Sequence, residues 1–364
     1  MRPLFALAFC VTAACGGALA PPAPAAAQDY LYVASQEDVT VAVIDMATNR
    51  LVETVDLKAL GYSPTAKAHD TAVDPDGSHW YVSLIAAGKV LKFDRQNRLV
   101  GEADFETPGL ITVDPTSDRM YVGRSMAAVN PPQRIGVIQR STMEMEEVDV
   151  FFPRPHAMVV DPATERFFSA SLGQASVAYA PLGAEEVDLV TLETHHDMAG
   201  MSGGEHGGNP MIVQFGVSPG GDWLVATGQM SGELMVLDAS AAEPTLVRSV
   251  DIGGQPWHPT FSPDGREIWI PRQTGNSVAI VSTDSWEVTE VIEHPALVGP
   301  HGSAISPDGR TIYVSARNES GAYRGTGEDP RPGTVVAIDR ESREVVAVIE
   351  VGRYAAGMDV APRR

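Results

Sequence analysis

The sequence predicts an all-β chain closed into a ring, a seven-bladed β-propeller in which the C-terminal strand pairs with the N-terminal blade. Three observations predict it. An apolar run followed by an Asp-Pro or Ser-Pro turn and an aromatic-rich strand recurs along the chain. The unit repeats at a spacing of roughly 45 residues, the length of a four-stranded blade. The two ends of the chain match complementary parts of one such unit.

The first 27 residues read as a leader. Arg2 supplies a positive charge, Leu4 to Val11 form a short apolar stretch, and Ala25-Ala26-Ala27 offers a small-residue cleavage site before Gln28. This is the layout of a secretory signal, and its apolar part is too short to span a bilayer. A lipoprotein reading of Cys15 lacks the usual leucine three positions earlier. The expected products are a signal over 1–27 and a single propeller domain over 28–364, periplasmic or secreted, with no membrane span.

Both cysteines, Cys10 and Cys15, fall inside the leader. The remaining chain therefore has no disulfide, no thiolate ligand and no cysteine nucleophile. Whole-chain charge is −21, from 26 basic and 47 acidic residues. Such an acidic balance argues against nucleic acid and anionic membranes as partners. It is compatible with a basic redox partner protein, and equally with simple solubility.

The repeat is clearest at Ala304-Ile305-Ser306-Pro307-Asp308-Gly309-Arg310, followed by Ile312-Tyr313-Val314-Ser315. Close copies begin at Ala72, Thr112, Val159 and Thr260, and a looser one at Gly216. Proline and Asp-Gly set a tight turn between two strands, with glycine tolerating the positive φ required. Third and fourth strands follow, as in Val335-Val336-Ala337-Ile338-Asp339 and Val345-Val346-Ala347-Val348-Ile349. The chain opens on Tyr30-Leu31-Tyr32-Val33-Ala34, a second strand, and ends on Ala356 to Pro362, a first strand. Pairing these ends removes exposed sheet edges and brings the count to seven.

These copies resemble the YVTN β-propeller repeat family over essentially the whole chain after the leader. The resemblance implies the fold and leaves function open, because such propellers include sugar-acid lactonases, surface-layer proteins, redox-enzyme subunits and cofactor-binding proteins.

Histidines carry the next signal. His69, His156 and His301 lie six residues before the proline that ends their first strand, and His258 five before its own. The first strand of a blade is innermost, so its beginning lies at one mouth of the central channel. The long connection Thr194 to Pro210 adds His195, His196 and His206, with Met198 and Met201, at the same mouth. His79 and His294 fall elsewhere. Imidazoles without thiolates suit copper first, then zinc or iron. The rim is similar in kind to the histidine-ligated copper site on the propeller of nitrous oxide reductase, and a non-covalent haem, as in cytochrome d1 propellers, is a related option. Covalent c-type haem is excluded by the lack of Cys-x-x-Cys-His.

Arg124, Arg272 and Arg317 each follow the second strand of a blade at that mouth, where guanidinium forks suit a small anionic ligand. Histidine, arginine and an acid such as Glu205 or Asp70 also make an acid–base set for opening a cyclic ester. The connection Glu319 to Gly333, rich in Gly, Pro and charge, is expected to overhang the same face as a lid or partner contact. Three functions stay open on these residues: a metal or redox-cofactor protein, a lactonase-type hydrolase or lyase, and an interaction scaffold.

Overall fold

The computed structural model describes residues 29–192 and 209–360. The leader and His195, His196 and His206 lie outside these residues. Twenty-eight strands, numbered β1 to β28 in chain order, form seven four-stranded antiparallel sheets. The only helical element among the described residues is one 3-10 turn, Leu57–Leu60.

Ring closure is as expected. The sheet order β28-β1-β2-β3 places Ala355–Val360 (β28) innermost, beside Tyr30–Ser35 (β1), Thr40–Asp45 (β2) and Arg50–Asp56 (β3). Six unbroken blades follow, with innermost strands Ala68–Val73 (β4), Pro108–Val113 (β8), Pro155–Asp161 (β12), Ile212–Val217 (β16), Thr260–Phe261 (β20) and Pro300–Ile305 (β24). Below, blades one to six are those that begin at β4, β8, β12, β16, β20 and β24, and the closing blade is the seventh.

The repeat residues explain the local geometry. In the Ser-Pro-Asp-Gly turns, Ser262 Oγ accepts from Glu267 N at 3.0 Å and donates to Asp264 Oδ1 at 2.6 Å. Ser306 repeats this with Thr311 N at 2.9 Å and Asp308 Oδ1 at 2.6 Å. Gly265 and Gly309 take φ of 70° and 72°, which a side chain would resist. The aromatic residues of the second strands pack within and between blades: Trp80 stacks on Phe93 of its own blade at 4.2 Å and on Tyr32 of the closing blade at 4.9 Å, and Tyr121 on Phe167 of the next blade at 4.7 Å. Outer strands such as β3 stay largely exposed, so the core runs as spokes between blades.

A second regularity builds the mouth. Lys67, Thr107, Arg154, Met211, Gln255, Gly299 and Tyr354 all take positive φ, between 50° and 63°. Each stands eight residues before the proline of its blade. Each carbonyl accepts from the first residue after the second strand: Ile85, Ser125, Leu172, Gln229, Gln273, Arg317 and Gln36 respectively, at 2.8–3.1 Å. Six of the seven are not glycine, so this turn is held against local strain by the ladder around it.

The seven inner strands enclose a cavity of about 500 Å³ lined by His258, Asp70, Asp359, Gln214 and Ser303 among others. Asp359, on the closing strand, accepts from Val73 N and Val360 N at 2.8 Å each. Burial outweighs these bonds and pushes its carboxyl up to about 6, above the usual value near 3.9. The protonated form is therefore favoured by folding. The stability it carries is complete below about pH 4 and lost as pH rises through about 6. The full difference would be about 3 kcal/mol, and access from the cavity reduces it to about 1–3 kcal/mol. Urea titrations of wild type and Asp359→Asn are expected to favour the variant by that much more at pH 8 than at pH 4. An offset that does not change with pH would contradict this assignment.

Candidate functional site

The mouth histidines owe their direction to irregular register. Pairing slips between Ala68 and Thr71, between Pro155 and Ala157, and between Pro300 and Ser303, the places of His69, His156 and His301. A bulge re-aims the side chain at the break, which is why bulges collect beside functional sites. In blade five the strand is delayed to Thr260, after an isolated bridge between Pro256 and Arg272. There the aligned position holds Trp257, and His258 stands one residue later.

His69, His156, His258 and His301 come together as expected from the sequence. The ring centroids of His258 and His301 are 4.7 Å apart, and those of His69 and His301 are 6.0 Å apart. Trp257 lies 4.3 Å from His301. All four histidines are buried, between 0% and 8% exposed. Burial is the main cause that lowers their pKa values, to about 4 for His156 and about 3 for His258, and well below the ordinary value for His69 and His301. Arg317 adds a Coulombic push on His69, His258 and His301. Arg154 adds a smaller push on His156, so at neutral pH the cluster is four uncharged imidazoles beside the Arg317 guanidinium, with that of Arg154 close to His156.

Several of their polar atoms have no partner among the described residues. Nε2 of His69, His156 and His258, both ring nitrogens of His301, and Nε of Arg317 are buried and unbonded. Buried polar atoms are nearly always satisfied by protein or water, so this concentration marks a polar pocket with room for water or a ligand. Among the described residues, no three His, Asp or Glu side chains come together in a way that could hold a metal ion.

Arg317 is the one predicted arginine that joins the cluster. Its guanidinium lies 4.7 Å from the Trp257 ring and 4.8 Å from the Tyr354 ring. Its nearest paired carboxylate, Glu319, is 4.0 Å away and more than half exposed. Arg124 and Arg272 are the last residues of their second strands, whereas Arg317 is the first residue after its own. That one-position offset turns the side chains to opposite faces. Arg124 donates to Glu147 Oε1 at 2.9 Å, Glu106 O at 2.8 Å and Arg134 O at 3.1 Å, and lies over Phe105. Arg272 packs across Gly254 and Gly275 and reaches Ser277 Oγ at 3.5 Å.

Other candidates divide in the same way. Asp70 is buried with Oδ2 accepting from Ile111 N at 2.9 Å, and burial pushes its carboxyl up to about 8. It lines the cavity together with His258. His79 contacts the Asp74 carboxylate at 3.1 Å, and His294 caps a turn at Ala296 N, so both are structural. The 319–333 connection, suggested by the sequence as a lid or partner contact, is tied to its own blade and to the next: Tyr323 Oη donates to Glu350 Oε1 on β27 at 3.0 Å, Asp329 accepts from Arg353 at 2.8 Å, and Arg331 donates to Glu37 Oε2 at 2.6 Å.

Three site residues escaped the sequence reading. Gln36 Nε2 lies 2.8 Å from His69 Nδ1, Trp257 donates from Nε1 to Gln273 Oε1 at 2.7 Å, and Tyr354 floors Arg317. Counting back from each proline would have found Trp257 and Tyr354. On the other side, Leu172, Val213 and Trp257, with Met126 and Met211, make an apolar wall.

The fold has counterparts among known proteins. The family model described as a seven-bladed β-propeller lactonase matches residues 98–324, and the chain belongs to that family. A 6-phosphogluconolactonase from Sodalis glossinidius is 23% identical over 353 residues, covering 91% of this chain and 96% of that protein. Among solved structures, a protein of unknown function from Desulfotomaculum acetoxidans superposes with a TM-score of 0.70 at 14% identity, covering 92% of this chain and 99% of its own. The dihydro-haem d1 dehydrogenase NirN superposes with a TM-score of 0.60 at 14% identity, covering 93% of this chain and 76% of its own. At these identities the two structures speak for the fold alone.

Proposed function

We propose that the chain is a lactone hydrolase that opens an anionic cyclic ester at the mouth formed by His69, His156, His258, His301 and Arg317. One observation carries the reading: a buried guanidinium, 4.0 Å from the exposed Glu319 carboxylate, stands among neutral imidazoles several of whose nitrogens have no partner among the described residues. The guanidinium supplies a fork for an anionic group. Neutral imidazoles accept and return a proton as water adds to the acyl carbon and the ring oxygen leaves. The apolar wall suits the uncharged part of the substrate. The Sodalis relative's name agrees with this chemistry.

Electrostatics rank this above a metal site. A divalent cation would feel the same repulsion from Arg317 that lowers the imidazole pKa values, and among the described residues the nearest carboxylate paired with that guanidinium is the exposed Glu319 at 4.0 Å. A copper site, with zinc, iron or non-covalent haem behind it, remains a second reading, favoured by the unbonded imidazole nitrogens. Metal analysis of untagged protein separates the two. The hydrolase reading expects substoichiometric metal, while one copper per chain, lost in His156→Ala/His301→Ala protein that stays folded, would favour the second.

The location of the site is tested by titrating open-chain hydroxy acids into 15N-arginine-labelled protein. The Arg317 Nε–H resonance is expected to shift and saturate. Saturable shifts confined to other arginines would place the ligand elsewhere.

A further inference from the structure

We infer that His156 is the residue that takes the proton from the attacking water, and that Arg124 is its positioning residue, acting through its main-chain carbonyl. The inference rests on the hydrolase reading for its chemistry and on hydrogen-bond geometry for its assignment.

His156 Nδ1 lies 2.7 Å from Arg124 O. A carbonyl oxygen can only accept, so the neutral ring carries its hydrogen on Nδ1 and a lone pair on Nε2. That Nε2 is buried and unbonded. His69 is arranged in the opposite sense. Its Nδ1 faces the Gln36 amide nitrogen at 2.8 Å, so Nδ1 accepts and the hydrogen stands on Nε2, again without a partner. Arg124 and Gln36 thus fix one idle acceptor, His156 Nε2, and one idle donor, His69 Nε2–H, beside the unbonded nitrogens of His258 and His301.

The carbonyl that fixes His156 is itself held hard. The Arg124 guanidinium is anchored to Glu147, Glu106 and Arg134 and stacked on Phe105, on the face away from the mouth. The preceding residue is Gly123, where a Cβ would run into the His156 carbonyl oxygen. The slip between Pro155 and Ala157 then turns the ring toward the other histidines. Fixing a tautomer through the nitrogen remote from the chemistry is a general way to prepare an imidazole base.

The step balances with water as the co-reactant. A water O–H proton moves to His156 Nε2 while the oxygen bonds to the acyl carbon, and His69 Nε2–H donates to the carbonyl oxygen as its charge grows. The acyl–ring oxygen bond then breaks, and the ring oxygen takes the proton back from His156. The product is the open hydroxy acid, and both imidazoles return to their starting state.

Long-range 1H–15N correlation spectra of 15N-histidine-labelled protein at neutral pH test the assignment without any substrate. His156, identified by its loss in His156→Gln, is expected as the Nδ1–H tautomer, and His69 as Nε2–H. A His156 ring carrying its hydrogen on Nε2 overturns the inference even if lactones turn over. In kinetics, His156→Gln is expected to lower kcat by about 10²–10⁴-fold with KM within a few-fold. Arg124→Met is expected to lower kcat and to move the His156 signals toward the Nε2–H tautomer. If that variant does not fold, Glu147→Gln, which loosens the same anchor from its half-buried end, takes its place. A kcat loss without tautomer change would make Arg124 merely structural and remove its assigned role. Wild-type protein inert toward every lactone removes the hydrolase reading and the proton step with it, while the spectra still decide the tautomers.

Discussion

Removal of residues 355–364 is expected to abolish the cooperative folding of the ring. The deletion takes away β28, the innermost strand of the closing blade, and strips β1 of its ladder partner. Ala355, Ala356 and Met358 leave the core, Ser315 Oγ loses its bond to Ala356 O at 2.5 Å, and Val73 N loses Asp359. About six lost hydrogen bonds at roughly 0.5–1.5 kcal/mol each would cost about 3–9 kcal/mol, before any apolar area is counted. Domains of this kind hold only about 5–15 kcal/mol in all. The exposed edge of β1 is moreover rich in apolar residues (Leu31, Val33), a template for pairing between chains. Near-UV circular dichroism on heating and size-exclusion profiles report the outcome. A monomer that still melts cooperatively within a few degrees of wild type would show that the ring does not depend on this closure.

Arg317→Ala is expected to cost about 1.5–3 kcal/mol in transition-state binding of an anionic lactone, or about 10–150-fold in kcat/KM, with most of the loss in KM. The guanidinium is the permanent charge that acts on His69, His258 and His301, and among the described residues its nearest paired carboxylate is 4.0 Å away. Stability should change little. The variant loses packing against Trp257 and Tyr354 but also removes a buried cation without a close partner, and these effects oppose each other. Arg317→Lys keeps the charge without the fork and should recover only part of the loss. A fall in activity matched by collapse of the fold, or no fall at all, would remove Arg317 from substrate binding.

The fold was legible because the repeat carries its own punctuation. Proline and Asp-Gly mark the first turn of most blades, and the split unit at the two ends announces closure. The histidine mouth was legible for the same reason, since three of its imidazoles stand at one fixed distance from the blade's proline. The arginines show where such counting fails. Arg124, Arg272 and Arg317 look equivalent at the ends of second strands, yet one position decides which face each occupies, and the strand ends could not be placed to that accuracy from sequence. Trp257 was missed because it occupies a histidine's place, displacing His258 by one residue. The tautomers of His69 and His156 depend on partners 33 and 32 residues away in the chain, Gln36 and Arg124, which no local pattern brings together. The wider metal set drawn from His195, His196 and His206 falls outside the described residues.

The central claim is that the mouth hydrolyses anionic lactones with its own imidazoles and guanidinium. The most direct test is a pH-stat assay of chelator-treated, untagged protein against a panel of sugar-acid lactones, including 6-phosphogluconolactone and lactones bearing a free carboxylate. The expected result is saturable turnover of at least one anionic lactone, undiminished by the chelator and reduced at least tenfold by Arg317→Ala. Turnover that appears only on adding copper, or none across the panel, would contradict the account.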